Sequence, residues 1–330
     1  MGVDRHSGMG RRGLALLAAG LGGVPPAFAQ TNFPTRSLRL LVPFPPAGAA
    51  DVMSRVVADA ARLVIGQSVV VENRSGGGGS IGTEAAIRAP ADGYTILMGN
   101  QSTHSINPEA RTNLGYDPGT QLVPVASVGN VAQVIYVRNS LAVRDVPELI
   151  ALAKSRPGEI SYGSTGVGTG SHLAMMLLEG HAGIELNHVP FRGTAPATAA
   201  LLAGQIDMAI DTMPTALPHI NGGSVRAIAV TTTVRHPRLP DVAALPEVGF
   251  GDYEAVLYYA LFAQADTPAP NLARLGDAFE ATMALPAVSA KLLDMGIDPL
   301  PVPRAQLPAY IAADRARWGA VIRRAGIKVE

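Results

Sequence analysis

Three short segments carry most of the groups that could do chemistry. They are Pro43-Phe-Pro-Pro-Ala-Gly-Ala-Ala-Asp51, Ser164-Thr-Gly-Val-Gly-Thr-Gly-Ser-His172 and Phe191-Arg-Gly-Thr-Ala-Pro196. Each joins an apolar run to a segment of helical spacing, and each is rich in small, glycine or hydroxyl residues. Unpaired backbone N–H groups and the positive end of a helix dipole make such a place favourable for an anion. Serine and threonine hydroxyls add hydrogen bonds, and low side-chain bulk lets a ligand approach the backbone. One such segment by itself is ordinary turn chemistry, because Gly, Pro and Ser punctuate every α/β chain. Three together point to a cleft. Asp211 and Thr212, after the run Asp207-Met-Ala-Ile210, sit where α/β sheets place ligands. Asp211 could accept from a ligand amine, hydroxyl or bridging water; capping a helix or turn is an alternative of equal weight.

Other constellations argue against catalysis. Gly77-Gly-Gly-Ser-Ile-Gly82 fits the dinucleotide fingerprint. It follows the second strand instead of the first, and the next strand ends Leu97-Met-Gly-Asn100 without an acid. A mobile surface loop is the simpler reading. Tyr162-Gly-Ser-Thr-Gly166 misses the nucleophile elbow because its first position is Tyr. A hydrolase using Ser164 would need a nearby imidazole and acid. The histidines are scattered and there is no cysteine, so no thiol chemistry, metal site or cofactor is expected. Trp318 reads as a packing anchor for the last helix, and Met175 to Leu178 as core.

These groups need elements to position them. Apolar β-type runs alternate with helical spacing, which argues for an α/β architecture. Strands are expected at 38–43, 67–72 and 94–99, with helices at 51–65 and 82–89. The first helix is expected to use Val52, Val56, Leu63 and Val64 near helical spacing. A long extended stretch covers 123–137. Helices at 146–155, 171–181 and 195–203 then alternate with strands at 159–164, 186–190 and 206–210. A further β-type stretch at 225–231 precedes a strand at 258–263 and helices at 271–285 and 307–324. The middle third reads as its own lobe, with crossings near 124–131 and 225–232. Lobe 1 is assigned 30–130 plus 228–330, and lobe 2 is assigned 131–227. A cleft between lobes is where small ligands bind.

The chain has 330 residues, 48% of them hydrophobic, 16% charged and 5% aromatic, with a formal charge of zero. That composition is globular, and the length exceeds what one core fills. Without a basic stripe, nucleic acid is not an expected partner. Arg5, Arg11 and Arg12, the apolar run from Leu14, and Ala27-Phe-Ala29 have the layout of a bacterial signal peptide over 1–29, cleaved after Ala29. The expected location is the periplasm, by the Sec route or the twin-arginine route.

Several ordered segments carry a family resemblance. They are Leu41-Val-Pro-Phe-Pro-Pro-Ala-Gly-Ala-Ala-Asp51, Val71-Glu-Asn-Arg-Ser-Gly-Gly-Gly-Gly-Ser-Ile-Gly82, Ala91-Asp-Gly-Tyr94, Ser171-His-Leu173, His188-Val-Pro-Phe-Arg-Gly-Thr-Ala-Pro196, Trp318-Gly-Ala-Val-Ile322 and Ala325-Gly-Ile-Lys328. Over essentially the whole mature length the chain resembles the tripartite tricarboxylate transporter receptors, or Bug proteins. The resemblance implies a type II periplasmic-binding-protein fold of two lobes joined by two crossover strands, with a ligand cleft between them. It implies a small carboxylate ligand (a di- or tricarboxylate, an aromatic acid or an acidic amino acid), held by backbone groups, hydroxyls and waters. It implies a monomer that delivers this ligand to integral-membrane permease subunits. The same fold serving a membrane sensor is the alternative.

Carried over by position, the implied contacts are Phe44, Ala47, Gly48 and Ala49; Ser102 and Thr103; Ser164, Thr165, Gly168 and Thr169; Gly193 and Thr194; Asp211; and Tyr258. The chain departs from the family pattern in having Ala47 where Gly is usual, Ala50 where Thr or Ser is usual, and Tyr258 where Trp is common. Ala50 removes a possible ligand hydroxyl.

Overall fold

Leu38–Val42 (β1) is a nearly continuous aliphatic run with Leu40, Leu41 and Val42 wholly buried. A strand apolar on both faces belongs inside a covered, mostly parallel sheet. In the computed structural model, which describes residues 33–251 and 253–329, β1 pairs in parallel with Val69–Asn73 (β2) and Thr95–Asn100 (β3). The remaining strands are Leu122–Val131 (β4), Gln133–Arg138 (β5), Ser161–Ser164 (β6), Asn187–Pro190 (β7), Met208–Thr212 (β8), Val225–Val230 (β9), Leu257–Gln264 (β10) and Ile297–Asp298 (β11). The helices are Ala49–Ile65 (α1), Ser80–Ile87 (α2), Asn107–Ala110 (α3), Pro118–Gln121 (α4), Val146–Ser155 (α5), Gly170–Ala182 (α6), Thr194–Leu202 (α7), Met213–Asn221 (α8), Ala269–Met283 (α9), Pro286–Asp294 (α10) and Leu307–Ala325 (α11).

The strands form two mixed sheets, ordered β11-β4-β10-β3-β1-β2 and β7-β6-β8-β5-β9. Two-lobed α/β architecture follows directly. The stretch expected as one extended segment at 123–137 is two strands in different sheets, divided at Ala132. The chain therefore crosses there, at the end of the stretch expected to cross. β9 stays in the second sheet through Val230, so the return comes after it, and a boundary at 227 would cut the strand.

The C-terminal third does not belong to the first lobe alone. Leu307 and Ile311 of α11 pack with Leu41, Leu97 and Phe262 of the first sheet. Trp318 and Ile322 of the same helix, with Ile327 and Val329, pack with Ile135, Leu173 and Ile210 around the second sheet. Assigning all of 228–330 to lobe 1 is corrected accordingly: α11 straddles both lobes. Its end is tied down where Val329 N–H donates to Ala110 O at 2.9 Å.

α1 shows how the local sequence aims a site. Met53, Val57 and Ala61 recur every four residues and are buried, while Leu63 is 73% exposed. The buried face is thus rotated from the one expected through Leu63. Gly66, at φ 76, ends the helix with its N–H on Arg62 O, the left-handed cap that glycine makes without a Cβ penalty. The leader expected over 1–29, with cleavage after Ala29, lies outside the described residues. Among the described residues no helix is long and apolar enough to cross a membrane.

Candidate functional site

Four helices start at one space between the sheets. α1, α6, α7 and α8 follow Gly48, Thr169, Gly193 and Thr212, and none of these residues caps its helix with a side-chain oxygen. First-turn N–H groups have no intrahelical acceptor, so four positive dipole ends meet there. Gly48 and Ala49, Thr169 to Ser171, Gly193 and Thr194, and Thr212 all line a cavity of about 60 Å³. Phe44, Pro45 and Pro46 come from the β1–α1 loop, Asn100 and Ser102 from the end of β3, Gln133 from the crossing, and Leu257 and Tyr259 from β10. Thr165 and Asp211 complete the wall. This lining holds no lysine, arginine or histidine, and Asp211 is its one carboxyl group.

The first-lobe loop is clamped from below. Ala47, exposed and at φ 64, donates its N–H to Asp51 Oδ2 at 3.0 Å. Arg55 grips the same carboxylate through Nε at 3.1 Å and Nη2 at 2.9 Å. Burial alone would raise Asp51, but Arg55 and the Ala47 N–H hold it below the ordinary carboxylate range. Asn73 Nδ2 donates to Phe44 O at 3.1 Å and ties the loop to β2. After β3 the chain makes one π-helical turn, Ser102–Ile106, all of it buried. Ser102 Oγ accepts the Gly170 N–H at 3.1 Å, a direct bond from one lobe to the other.

The second-lobe loop holds itself through hydroxyls. Thr169 Oγ1 donates to Gly166 O at 2.7 Å, Thr165 Oγ1 lies 2.8 Å from Ser171 Oγ, and Ser171 Oγ accepts the Thr165 N–H. A histidine stack backs this loop: the His172 and His188 rings are 4.1 Å apart. His172 Nδ1 accepts the Gly168 N–H and His188 Nε2 lies 2.7 Å from Ser164 Oγ. Burial lowers both imidazoles to about 4, so both are neutral at pH 7.

Of the residues expected to touch ligand, the fold brings Phe44, Gly48, Ala49, Ser102, Thr165, Thr169, Gly193, Thr194 and Asp211 to the cavity. Five do not reach it. Ala47 faces outward. Thr103 Oγ1 turns back to Asn100 and His104 Nδ1. Ser164 is fully buried against His188. Gly168 packs on Val329, 2.9 Å from where its Cβ would sit. Tyr258 lies on the far face of β10, its hydroxyl 3.0 Å from Ser105 Oγ; side chains alternate along a strand, so Tyr259 faces the cavity in its place. Sequence reasoning missed Asn100, Gln133, Ser171 and Leu257. Gln133 is legible only once the crossing is located at Ala132.

The Ser164–His188 pair supplies the imidazole a hydrolase would need, but not the rest. Ser164 is 0% exposed, and no carboxylate among the described residues bonds His188. The glycine segment 76–79 is not a free surface loop. Gly79 is buried, its missing Cβ 3.1 Å from Phe44 and 2.7 Å from Thr103. With residues 165–167 and 190–193 this segment walls a vestibule of about 830 Å³ that shares Phe44, Thr165, Thr169 and Gly193 with the cavity. Arg111, Arg192 and Lys328 line it, and no acid does. A separate crevice between α9, α10 and β4, of about 190 Å³, has no helix N-terminus from this cluster in its wall. No metal-ligating cluster occurs among the described residues.

A cleft between two lobes, lined by backbone groups and hydroxyls, is the arrangement the family resemblance implies. Residues 53–327 match the family model described as the tripartite tricarboxylate transporter family receptor. The chain belongs to this family. It is 33% identical over 319 residues to Protein BugT of Bordetella pertussis, covering 96% of this chain and 97% of that protein. Among solved structures, R. palustris Rpa4515 with adipate superposes with a TM-score of 0.86 at 33% identity, covering 90% of this chain and 99% of the other. MatC from Rhodopseudomonas palustris with bound malate gives 0.83 at 28% identity, over 88% and 100%. The fold is that of a periplasmic binding protein, and the family is one of solute-binding receptors.

Proposed function

We propose that this protein is an exported receptor, not an enzyme, that captures a small carboxylate between its lobes and delivers it to a tripartite membrane permease. The observation that carries the reading is the convergence of four helix N-termini, none capped by the side chain of its own N-cap residue, on a cavity without a cationic side chain. Backbone dipoles and hydroxyls then supply the attraction for an anion. The adipate and malate held by two relatives support the ligand class. The small cavity favours a compact acid over the drug-sized ligands that fill several hundred Å³. The mature chain starts after Ala29 and works as a monomer in the periplasm. Its lobes meet at two hinges, Ala132 and the segment after Val230.

A panel of small carboxylates in a thermal-shift assay on the mature protein tests this. A ligand at a hundredfold excess over its Kd stabilises by about 2.7 kcal/mol. If sugars, amines or neutral amino-acid amides raise the melt and no carboxylate does, the proposed ligand class is wrong.

A further inference from the structure

Asp211 is a carboxyl group in a cavity proposed to hold another. Its side chain is 3% exposed. Oδ1 accepts the Thr212 N–H at 2.7 Å and the Thr212 hydroxyl at 3.2 Å. Oδ2 is buried and meets no hydrogen-bond partner among the described residues, and the residue lines the cavity.

Among the described residues, the elements packed around it bring no positive side chain to this wall. β5 contributes Tyr136 and β10 contributes Tyr259, the titratable groups that feel its charge. α7 contributes Thr194, and α8 contributes Thr215. Tyr259 is pushed by burial to about 12 and Tyr136 is raised further, so both stay neutral. Burial raises Asp211 itself to about 6, against the opposing pull of the Thr212 N–H and the neighbouring threonines. In about 60 Å³ a captured carboxylate lies within a few ångströms of Oδ2. Four helix dipoles stabilise one negative charge there, but no cation compensates a second. Two carboxylates in such a space share a proton instead of both ionising.

We propose that a carboxylate without an amine is captured together with one proton, carried on Asp211 Oδ2, which then donates a hydrogen bond to a ligand oxygen. This rests on the carboxylate reading above. The proton comes from solvent: ionised Asp211, the ligand anion and one proton give neutral Asp211 hydrogen-bonded to the anion. Asp211 thereby acts as a specificity-determining residue. A ligand that brings its own ammonium group can pair with the ionised form and needs no proton.

Calorimetric titration of malate, adipate and glutamate from pH 5.5 to 8.5, in phosphate and in Tris, tests this. The difference in heat between buffers counts protons taken up. Malate or adipate is expected to bind with close to one proton at pH 8, and its Kd to rise up to tenfold per pH unit above about 6. In Asp211→Asn the uptake vanishes and Kd is flat with pH. Binding of malate or adipate with no proton uptake and a flat Kd overturns the inference and leaves the carboxylate reading intact. Binding of glutamate alone, without uptake, overturns it too and makes Asp211 the ammonium's partner. Failure of all three acids at every pH overturns the inference for these ligands, and the carboxylate reading then falls if the thermal-shift panel also finds no carboxylate that binds.

Discussion

Replacing Gly193 with Ala separates the cost of folding from the cost of closing the cleft. Gly193 sits at φ 105 and ψ −176, a region that residues with a Cβ rarely occupy. Holding Ala there costs about 1–3 kcal/mol, and that strain is present whether the lobes are together or apart. The second cost exists only when they meet. An added Cβ would lie 2.8 Å from Pro45 Cγ and 3.4 Å from its Cβ and Cδ. The stiff ring belongs to the opposite lobe and has little freedom to retreat. Overpacking of this kind costs about 1–3 kcal/mol, which at 1.4 kcal/mol per decade raises Kd roughly 5- to 150-fold. Denaturant unfolding without ligand measures the first term, and calorimetry with the best carboxylate measures the second. The double variant Gly193→Ala/Pro45→Ala recovers most of the affinity and little of the stability. If Gly193→Ala loses stability but binds with unchanged Kd, then Pro45 and Gly193 do not meet in the complex, and the cavity drawn here is not the bound one.

Three further outcomes are expected. Thr169→Ala removes one donor from the hydroxyl cluster of the second-lobe loop and weakens carboxylate binding by roughly 0.5–1.5 kcal/mol; unchanged affinity excludes that hydroxyl from the site. Acid weakens the fold through His104, which is stacked on Phe262 and lowered to about 3 by burial. The unfolded chain binds this proton near 6.5 and the folded chain does not until about 3, so stability is full above 6.5 and falls as pH drops, by about 2 kcal/mol at pH 5. His172 and His188 act in the same direction down to about 4, while Asp211, raised to about 6, opposes them as it takes up its proton; urea unfolding at pH 7.5 and pH 5 reads the net of three histidines against one carboxyl group, a loss of stability in acid, and equal midpoints would contradict it. Finally, Arg192→Gln/Lys328→Gln removes two cations from the vestibule and slows association of an anionic ligand at low salt. Stopped-flow rates should converge with the native protein at high ionic strength, where screening removes the steering.

Much of the fold was legible because its signals are local. The α5 range 146–155 was read from the sequence as the structure has it. β1 and the C-terminal helix came within a residue of their ends, since apolar periodicity and terminal Pro or Gly act over one or two turns. What failed was orientation. Leu63 reads as core but faces solvent, and Tyr258, carried over as a ligand contact, turns away from the cavity that Tyr259 lines. Slipping one residue along a strand reverses every side chain, and the sequence does not mark which face of β10 looks into the cleft. α8 and α10 have no counterpart in the sequence reading; Pro214 and Pro286 stand in their first turns, where Pro costs no hydrogen bond, while Pro218 lies inside α8.

The sequence by itself determined the chemistry available: anion-friendly loops of small residues, no thiol, and an acid at a strand end. Those properties belong to residue types and short spacings. The tertiary structure alone decided which loops share one cavity and which turn away. It buried Ser164 beside a half-buried His188 and ran α11 across both lobes. It also removed Asp211 from water and left Oδ2 without a hydrogen-bond partner among the described residues. Burial and juxtaposition arise from contacts between distant segments, such as Ser102 with Gly170 or Pro45 with Gly193, and these exist only after the two sheets have formed and faced each other.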